Sequence, residues 1–207
     1  MSRLGLAAVM MGLLSFNFHF AKSLALVVFA IAGITDYLDG HIARRDNIST
    51  PFGKLMDPLT DKVMVCAAFV SFVGIQMSHG TPGVTYSLVP AWITVVIISR
   101  EFLVTGLRLL AANRGNIISA GKWGKHKTVW QIIAIVVILL GISLRDDILI
   151  AYHKPEKMIQ DFNLAFSFIA YAVSGCVAVI TVASGLLYFI QHSDLMTRSS
   201  QSSGRMK

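Results

Sequence analysis

Charge is scarce in this chain: Asp, Glu, Lys and Arg make up 14% of its 207 residues, against about a quarter in a typical soluble domain. So low a share excludes an ordinary water-soluble surface, and the 55% hydrophobic content is gathered in blocks long enough to enter a bilayer. Cysteine is nearly missing as well. Cys66 and Cys176 both fall inside apolar runs, where they read as small buried hydrophobes, so neither a disulfide nor a cysteine metal centre is expected. No stretch alternates polar and apolar residues with period two, which excludes a membrane barrel. Internal repeats are absent, and the N-terminus has no basic segment followed by a small-residue cleavage site, so no removable leader is expected. Acidic residues are outnumbered, giving a net charge of +7. The basic residues cluster in alternate loops rather than along one face, so nucleic acid is not the expected partner.

What the chain does have is six apolar runs, at 4–16, 23–37, 63–76, 86–107, 129–144 and 162–190. The first is short. Each of the others can cross about 30 Å of hydrocarbon at ~1.5 Å per helical residue, with modest help from flanking residues. Helices satisfy their own backbone hydrogen bonds in lipid. The expected fold is therefore an all-α integral membrane protein, a six-helix transmembrane bundle in one domain over 1–191, with a serine-rich, disordered tail over 192–207. If the N-terminus is cytoplasmic, only Lys22, Arg145, Lys154 and Lys157 of the 18 basic residues fall outside. That bias puts both termini and the tail in the cytoplasm.

One stretch breaks the apolar pattern. DYLDGHIARRDNISTPFGKLMDPLTD carries Asp36, Asp39, Asp46, Asp57 and Asp61 within 26 residues. Asp36 and Asp39 are three apart at the end of the second helix, and Asp57 and Asp61 four apart at the start of the third, so each pair shares a helix face. If the two helices pack side by side through the 40–56 connection, four carboxylates converge. Their mutual repulsion at a low-dielectric boundary is relieved by divalent cations, and all-oxygen ligation suits Mg²⁺ or Mn²⁺. Carboxylates shared between two such ions suit phosphoryl-type chemistry. Asp46, beside Arg44 and Arg45, reads as an ordinary solvated charge. Gly40 and Ala43 are small where a planar base or a diphosphate would need close approach, and Gly53 lets a helix or a ligand come near. Arg44 is a bidentate phosphate donor at the same mouth. Pro58 is expected in the first turn of the third helix.

These residues resemble the signature of the CDP-alcohol phosphatidyltransferases, D-x2-D-G-x2-A-R-x8-G-x3-D-x3-D. Asp36, Asp39, Gly40, Ala43, Arg44, Gly53, Asp57 and Asp61 match every fixed residue and spacing. The resemblance implies a six-helix, usually dimeric membrane enzyme with two divalent metals, in which an alcohol displaces CMP from a CDP-linked lipid. It implies Asp36, Asp39, Asp57 and Asp61 as metal ligands, Asp61 also as general base, and Gly40, Ala43, Arg44 and Gly53 around the CDP-lipid.

A second constellation bears on the alcohol. In SREFLVTGLRLL, Glu101, Thr105 and Arg108 fall at i, i+4 and i+7, giving one polar helix face next to Arg100; an ionisable residue in a membrane helix is a functional candidate by default. A structural Arg–Glu pair is the alternative. The next loop, GKWGKHKT, adds Lys122, Lys125 and Lys127, either as a positive-inside signal or as phosphate donors. R-E-x3-(S/T)-G-L-R followed by G-K-x-K-T is similar to the phosphatidylglycerophosphate synthase branch of the family. That resemblance implies sn-glycerol 3-phosphate as acceptor, held by Arg100, Arg108, Lys125 and Lys127, CDP-diacylglycerol as donor, and phosphatidylglycerophosphate and CMP as products. It also implies a multi-pass protein of the inner (cytoplasmic) membrane, with its active site facing the cytoplasm. The same chemistry on phosphatidylglycerol, inositol phosphate or serine is the alternative, and a divalent-cation or phosphate transporter a distant one, since transporters place charge near the midplane of inverted repeats. The branch usually opens with N-x-P-N-x-L-T-x-x-R, of which only Arg3 has a counterpart; with a short first run, this raises the expectation of a misassigned start.

Overall fold

Each apolar run contributes a helix, and every helix extends past its run at one end or both. The computed structural model describes residues 2–16, 18–46, 51–78, 84–113 and 122–191, with all their side chains except those of 2, 36–46, 51–61, 112–113, 122–126 and 191. In order come α1 (Ser2–Ser15), α2 (Ala21–Asp46), α3 (Pro51–Gly74), a hairpin of β1 (Gln76–Ser78) and β2 (Thr85–Ser87), α4 (Ala91–Asn113), α5 (Lys122–Ser143), a π-helical continuation (Leu144–Ile150) and α6 (Glu156–Gln191). The expected tail, 192–207, lies outside the described residues.

Three expectations are corrected. The polar connection drawn over 40–56 is mostly helix: α2 runs to Asp46 and α3 starts at Pro51. Pro51 rather than Pro58 takes the first helical position, where a fixed φ and a missing N–H cost nothing. Pro58 is well inside α3. The lysine-rich loop is likewise the start of α5, because only Gly124 in KWGKHK opposes a helix. The hairpin was not expected; its antiparallel register pairs Gln76, the last residue of the third run, with Ser87 near the start of the fourth.

The packing order closes a ring. Helix α1 lies on α2 and α3, α2 on α5, α5 on α6, α6 on α4 and α4 on α3, while α5 also touches α3 across the ring. Among the described residues, α2 and α3 are therefore joined chiefly through α1 and α5. Directions follow from individual contacts. Thr94 Oγ1 donates to the Phe69 carbonyl (3.4 Å) and Lys62 lies 3.1 Å from Glu101, so α4 runs back along α3. Lys22 Nζ donates to the carbonyls of Leu14 (2.6 Å) and Phe16 (2.9 Å), which ties the end of α1 to the start of α2. Arg100 reaches Ser184 (3.0 Å), so the last part of α6 lies beside α4. One end of the bundle thus gathers the start of α1, the end of α2, the start of α3, the end of α4, the start of α5 and the end of α6. Every signature carboxylate belongs to that end.

The outer surface is apolar. Helix α2 displays Leu24, Val27, Ile31 and Ile34, α4 displays Val95, Phe102, Leu103 and Leu110, and α6 displays Phe168 at 76% exposure. A water-soluble helix would put polar residues there. Cys176 also faces outward, contrary to the buried position expected, while Cys66 is half-buried; both thiols are free. Among the described residues, 156–190 is the one segment long and apolar enough to cross a membrane by itself; the apolar parts at 3–15, 21–35 and 62–74 are shorter. The protein is a helical membrane protein.

Where lipid surrounds the bundle, burying apolar surface no longer drives helices together, so close packing must. Ala7, Ala25, Ala32, Ala67, Ala68, Ala134, Ala170 and Ala178 supply the small contact surfaces, and Phe69, Phe72, Ile135, Ile138 and Ile142 fill the space between. At the far end, Asp147 (3% exposed) accepts hydrogen bonds from both the backbone N–H and the hydroxyl of Ser23, each 2.6 Å. A carboxylate from α5's π-helical continuation thereby satisfies an orphan donor in the first turn of α2, where the helix dipole favours negative charge.

Among the described glycines, Gly141 is the most tightly packed. The Phe166 ring, itself stacked on Phe162 at 5.6 Å, lies where a methyl group at 141 would have to sit. Gly141→Ala is therefore expected to lower thermal stability by about 1–3 kcal/mol from overpacking, despite alanine's better helix propensity. A melting curve in detergent would check this, and Gly141→Ala with Phe166→Leu should recover part of the loss.

Candidate active site

Polar residues of α4 face inward because their helix offers them nowhere else. Glu101 (1% exposed) and Thr105 (8%) are buried, while Phe102 and Leu103 point outward. A carboxylate so buried must be neutralised by partners, and Glu101 has them on three helices. Lys127 of α5 donates to Oε1, as does Gln131 Nε2 at 3.1 Å. Lys62 of α3 approaches Oε2 at 3.1 Å, and the neighbouring Arg100 comes within 3.7 Å. Lys127, expected among the acceptor's donors, is placed at the buried side of this cluster and engaged with Glu101.

Arg100 and Arg108 both turn towards α6. Arg100 Nη2 donates to Ser184 Oγ at 3.0 Å, and the Arg108 guanidinium lies 5.3 Å over the Tyr188 ring, a cation–π arrangement. The arginines are ~12 Å apart along α4, whereas Ser184 and Tyr188 are ~6 Å apart along α6 at 1.5 Å per residue. The two guanidinium groups therefore lean towards each other. Both Nε atoms are buried and, among the described residues, have no hydrogen-bond partner. Buried donors left open in this way call for an acceptor. Gly185 makes the approach possible, since a methyl group there would meet Arg100 Cγ at 3.2 Å.

Asp36, Asp39, Gly40, Ala43 and Arg44 fall in the last part of α2, and Gly53, Asp57 and Asp61 in the first part of α3. Their side chains, with that of Lys125, lie outside the described residues. The backbone brings these helix segments to the same end of the bundle as Glu101, Arg100 and Arg108, and Lys62 follows Asp61 directly in α3. Two open cavities of about 390 and 590 Å³ share Lys22, Arg145 and Asp146 as walls. They lie at the far end, away from the carboxylates, and are not the candidate site.

Sequence reasoning had not singled out Lys62, Gln131, Ser184 or Gly185. Lys62 looked like one more positive-inside charge. Gln131 carried a usable signal, being four residues after Lys127 inside an apolar run, hence on the same helix face. Nothing local marks Ser184 or Gly185.

The described residues thus form an apolar helical bundle with a buried ionic cluster, Glu101 with Lys62, Arg100 and Lys127, at the end that also holds the carboxylate-bearing segments of α2 and α3. A family model described as CDP-alcohol phosphatidyltransferase matches residues 1–187. The chain is 37% identical over 173 residues to the CDP-diacylglycerol–glycerol-3-phosphate 3-phosphatidyltransferase of Bacillus subtilis (strain 168), covering 84% of this chain and 75% of that protein. Proteins with the same name are 40% identical over 111 residues in Mycoplasma pneumoniae, covering 54% of this chain and 44% of the relative, and 38% identical over 128 residues in Pseudomonas fluorescens, covering 59% and 60%. The chain belongs to the CDP-alcohol phosphatidyltransferase family. It is a phosphatidyltransferase of phospholipid synthesis.

Proposed function

We propose that the protein transfers the phosphatidyl group of CDP-diacylglycerol to sn-glycerol 3-phosphate, releasing CMP. The observation that carries this acceptor is the pair Arg100 and Arg108, which turn buried, unfilled Nε donors to one side of α4, at the end of the bundle that holds the signature helix segments. A phosphomonoester carries about −1.5 to −2 charge near neutral pH and accepts several hydrogen bonds. Serine or free inositol would leave those donors idle. The names of the relatives support the same acceptor.

The donor set of Asp36, Asp39, Asp57 and Asp61 fits hard divalent cations such as Mg²⁺ or Mn²⁺, because it is all oxygen and strongly anionic. Two such ions held by these residues would neutralise the diphosphate and stabilise charge on the leaving CMP. Gly40, Ala43 and Gly53 leave room for the cytidine diphosphate, and Arg44 offers it a forked donor. Arg100 and Arg108, with Lys125, hold the acceptor phosphate; Lys127 backs them through its contact with Glu101. Asp61 takes the proton of the attacking hydroxyl, so it acts unprotonated. The bundle spans the inner membrane in several passes as a homodimer, with residues 1–191 as catalytic domain and both termini and the site on the cytoplasmic face. Acyl chains of the CDP-lipid then stay in the bilayer while its head group reaches the site.

Purified protein in CDP-diacylglycerol vesicles tests the reading. CMP release is expected to require added sn-glycerol 3-phosphate and to stop in excess chelator. CMP release that persists in chelator, or that ignores glycerol 3-phosphate, contradicts it.

A further inference from the structure

We infer that Glu101 is the positioning residue of the acceptor site: a single buried carboxylate that gathers cations from three helices and fixes the charge they present. This rests on the glycerol 3-phosphate reading above. Glu101 does not itself reach for a phosphate, which its charge would repel. It is 1% exposed and fully engaged, with Lys127 and Gln131 of α5 on Oε1 and Lys62 of α3 on Oε2 at 3.1 Å.

Two features set this cluster apart from a pair that merely ties helices together. The first is its charge. Three basic side chains from three helices, Lys62, Arg100 and Lys127, converge on one carboxylate. A bundle fastener needs one such partner, since each further buried basic group is costly in a membrane. The second is its reach. Lys62 follows Asp61 in the α3 sequence, and Arg100 extends from Glu101 to Ser184 of α6 at 3.0 Å, so the cluster joins the α3 segment that carries the proposed base to the α4–α6 face that carries the proposed phosphate donors. Glu101 thereby sets the distance between the acceptor's two ends: the phosphate at the arginines and the attacking hydroxyl at Asp61.

The full-length protein in lipid nanodiscs, assayed by CMP release, tests this. Glu101→Gln keeps the shape, removes the charge and places an amide N–H₂ against ammonium donors. It is expected to raise the KM for glycerol 3-phosphate at least about tenfold, as for loss of hydrogen bonds to a charged group, and to leave the KM for CDP-diacylglycerol within about twofold. The pair Glu101→Gln with Lys127→Met relieves the unpaired ammonium, so it is expected to restore the melting temperature but not the acceptor KM. If Glu101→Gln alone does not fold, the paired variant compared with wild type gives the same reading. Equal rises in both KM values, or full recovery of the acceptor KM in the paired variant, would show a fastener only and overturn the inference. Wild-type protein that does not use glycerol 3-phosphate would instead overturn the proposed function, which keeps the two failures apart.

Discussion

Asp57→Ala is expected to abolish CMP release, cutting kcat by on the order of 10³-fold or more. Loss of a carboxylate proposed to hold metal would remove several kcal/mol of charge stabilisation at the reacting phosphate, and each ~1.4 kcal/mol is tenfold in rate. The same loss is expected for Asp36→Ala, Asp39→Ala and Asp61→Ala, because in the proposed site these residues of α2 and α3 form one donor set with Asp57. Asp46→Ala, at the last residue of α2 and outside the three- and four-residue spacings, should change kcat by no more than about twofold. Asp61→Asn is the informative variant within the set. It should lose turnover while retaining most affinity for the CDP-lipid, since an amide cannot take the hydroxyl proton. Initial rates of CMP release against each substrate decide the matter; an active Asp57→Ala enzyme would refute the carboxylate assignment.

The second large effect is expected at Arg100. Arg100→Ala removes a guanidinium with a buried open donor and should raise the KM for glycerol 3-phosphate about 10- to 100-fold, the worth of ~1.5–3 kcal/mol for a hydrogen bond to a charged group. The KM for CDP-diacylglycerol should stay within about twofold, because the arginine is proposed to serve the acceptor alone. Arg100→Lys keeps the charge but loses the fork that spans Ser184 and the acceptor, so an intermediate value is expected. The same steady-state kinetics check it, and equal effects on both substrates would place Arg100 in the scaffold.

Much of this was legible before any coordinates. Helix number followed from apolar run length, since in lipid the backbone leaves few other options. The signature aspartates announced themselves because charge is so costly in such a chain. What local sequence could not show was the ring order. That α5 touches α2, α3 and α6 depends on which alanine faces which neighbour. Helix ends were misjudged for the same physical reason in two places. Residues 40–46 and 122–128 are rich in polar side chains, which suggests loop, whereas a helix continues through polar residues as long as its backbone bonds can form. The hairpin of Gln76–Ser78 with Thr85–Ser87 straddles the ends of two hydrophobic runs, and its three-residue strands are too short to show an alternating pattern. Glu101 was visible as an ionisable residue in a membrane helix, yet its partners Lys62, Lys127 and Gln131 come from two other helices. Only tertiary packing brings a partner from residue 62 and one from residue 131 to a single carboxylate.

The central claim is that this family fold, with cations gathered around Glu101 and open arginine donors beside them, transfers a phosphatidyl group to a phosphorylated glycerol. It is tested most directly by following the acceptor. Protein in CDP-diacylglycerol vesicles with Mg²⁺ is given sn-glycerol 3-phosphate carrying a phosphorus label, with unlabelled phosphatidylglycerol, inositol phosphate or serine as competitors. The account predicts that label moves into the organic-extractable lipid in step with CMP release, and that neither phosphatidylglycerol nor serine slows it. Label that stays in the aqueous phase while phosphatidylglycerol or serine drives CMP release would contradict it.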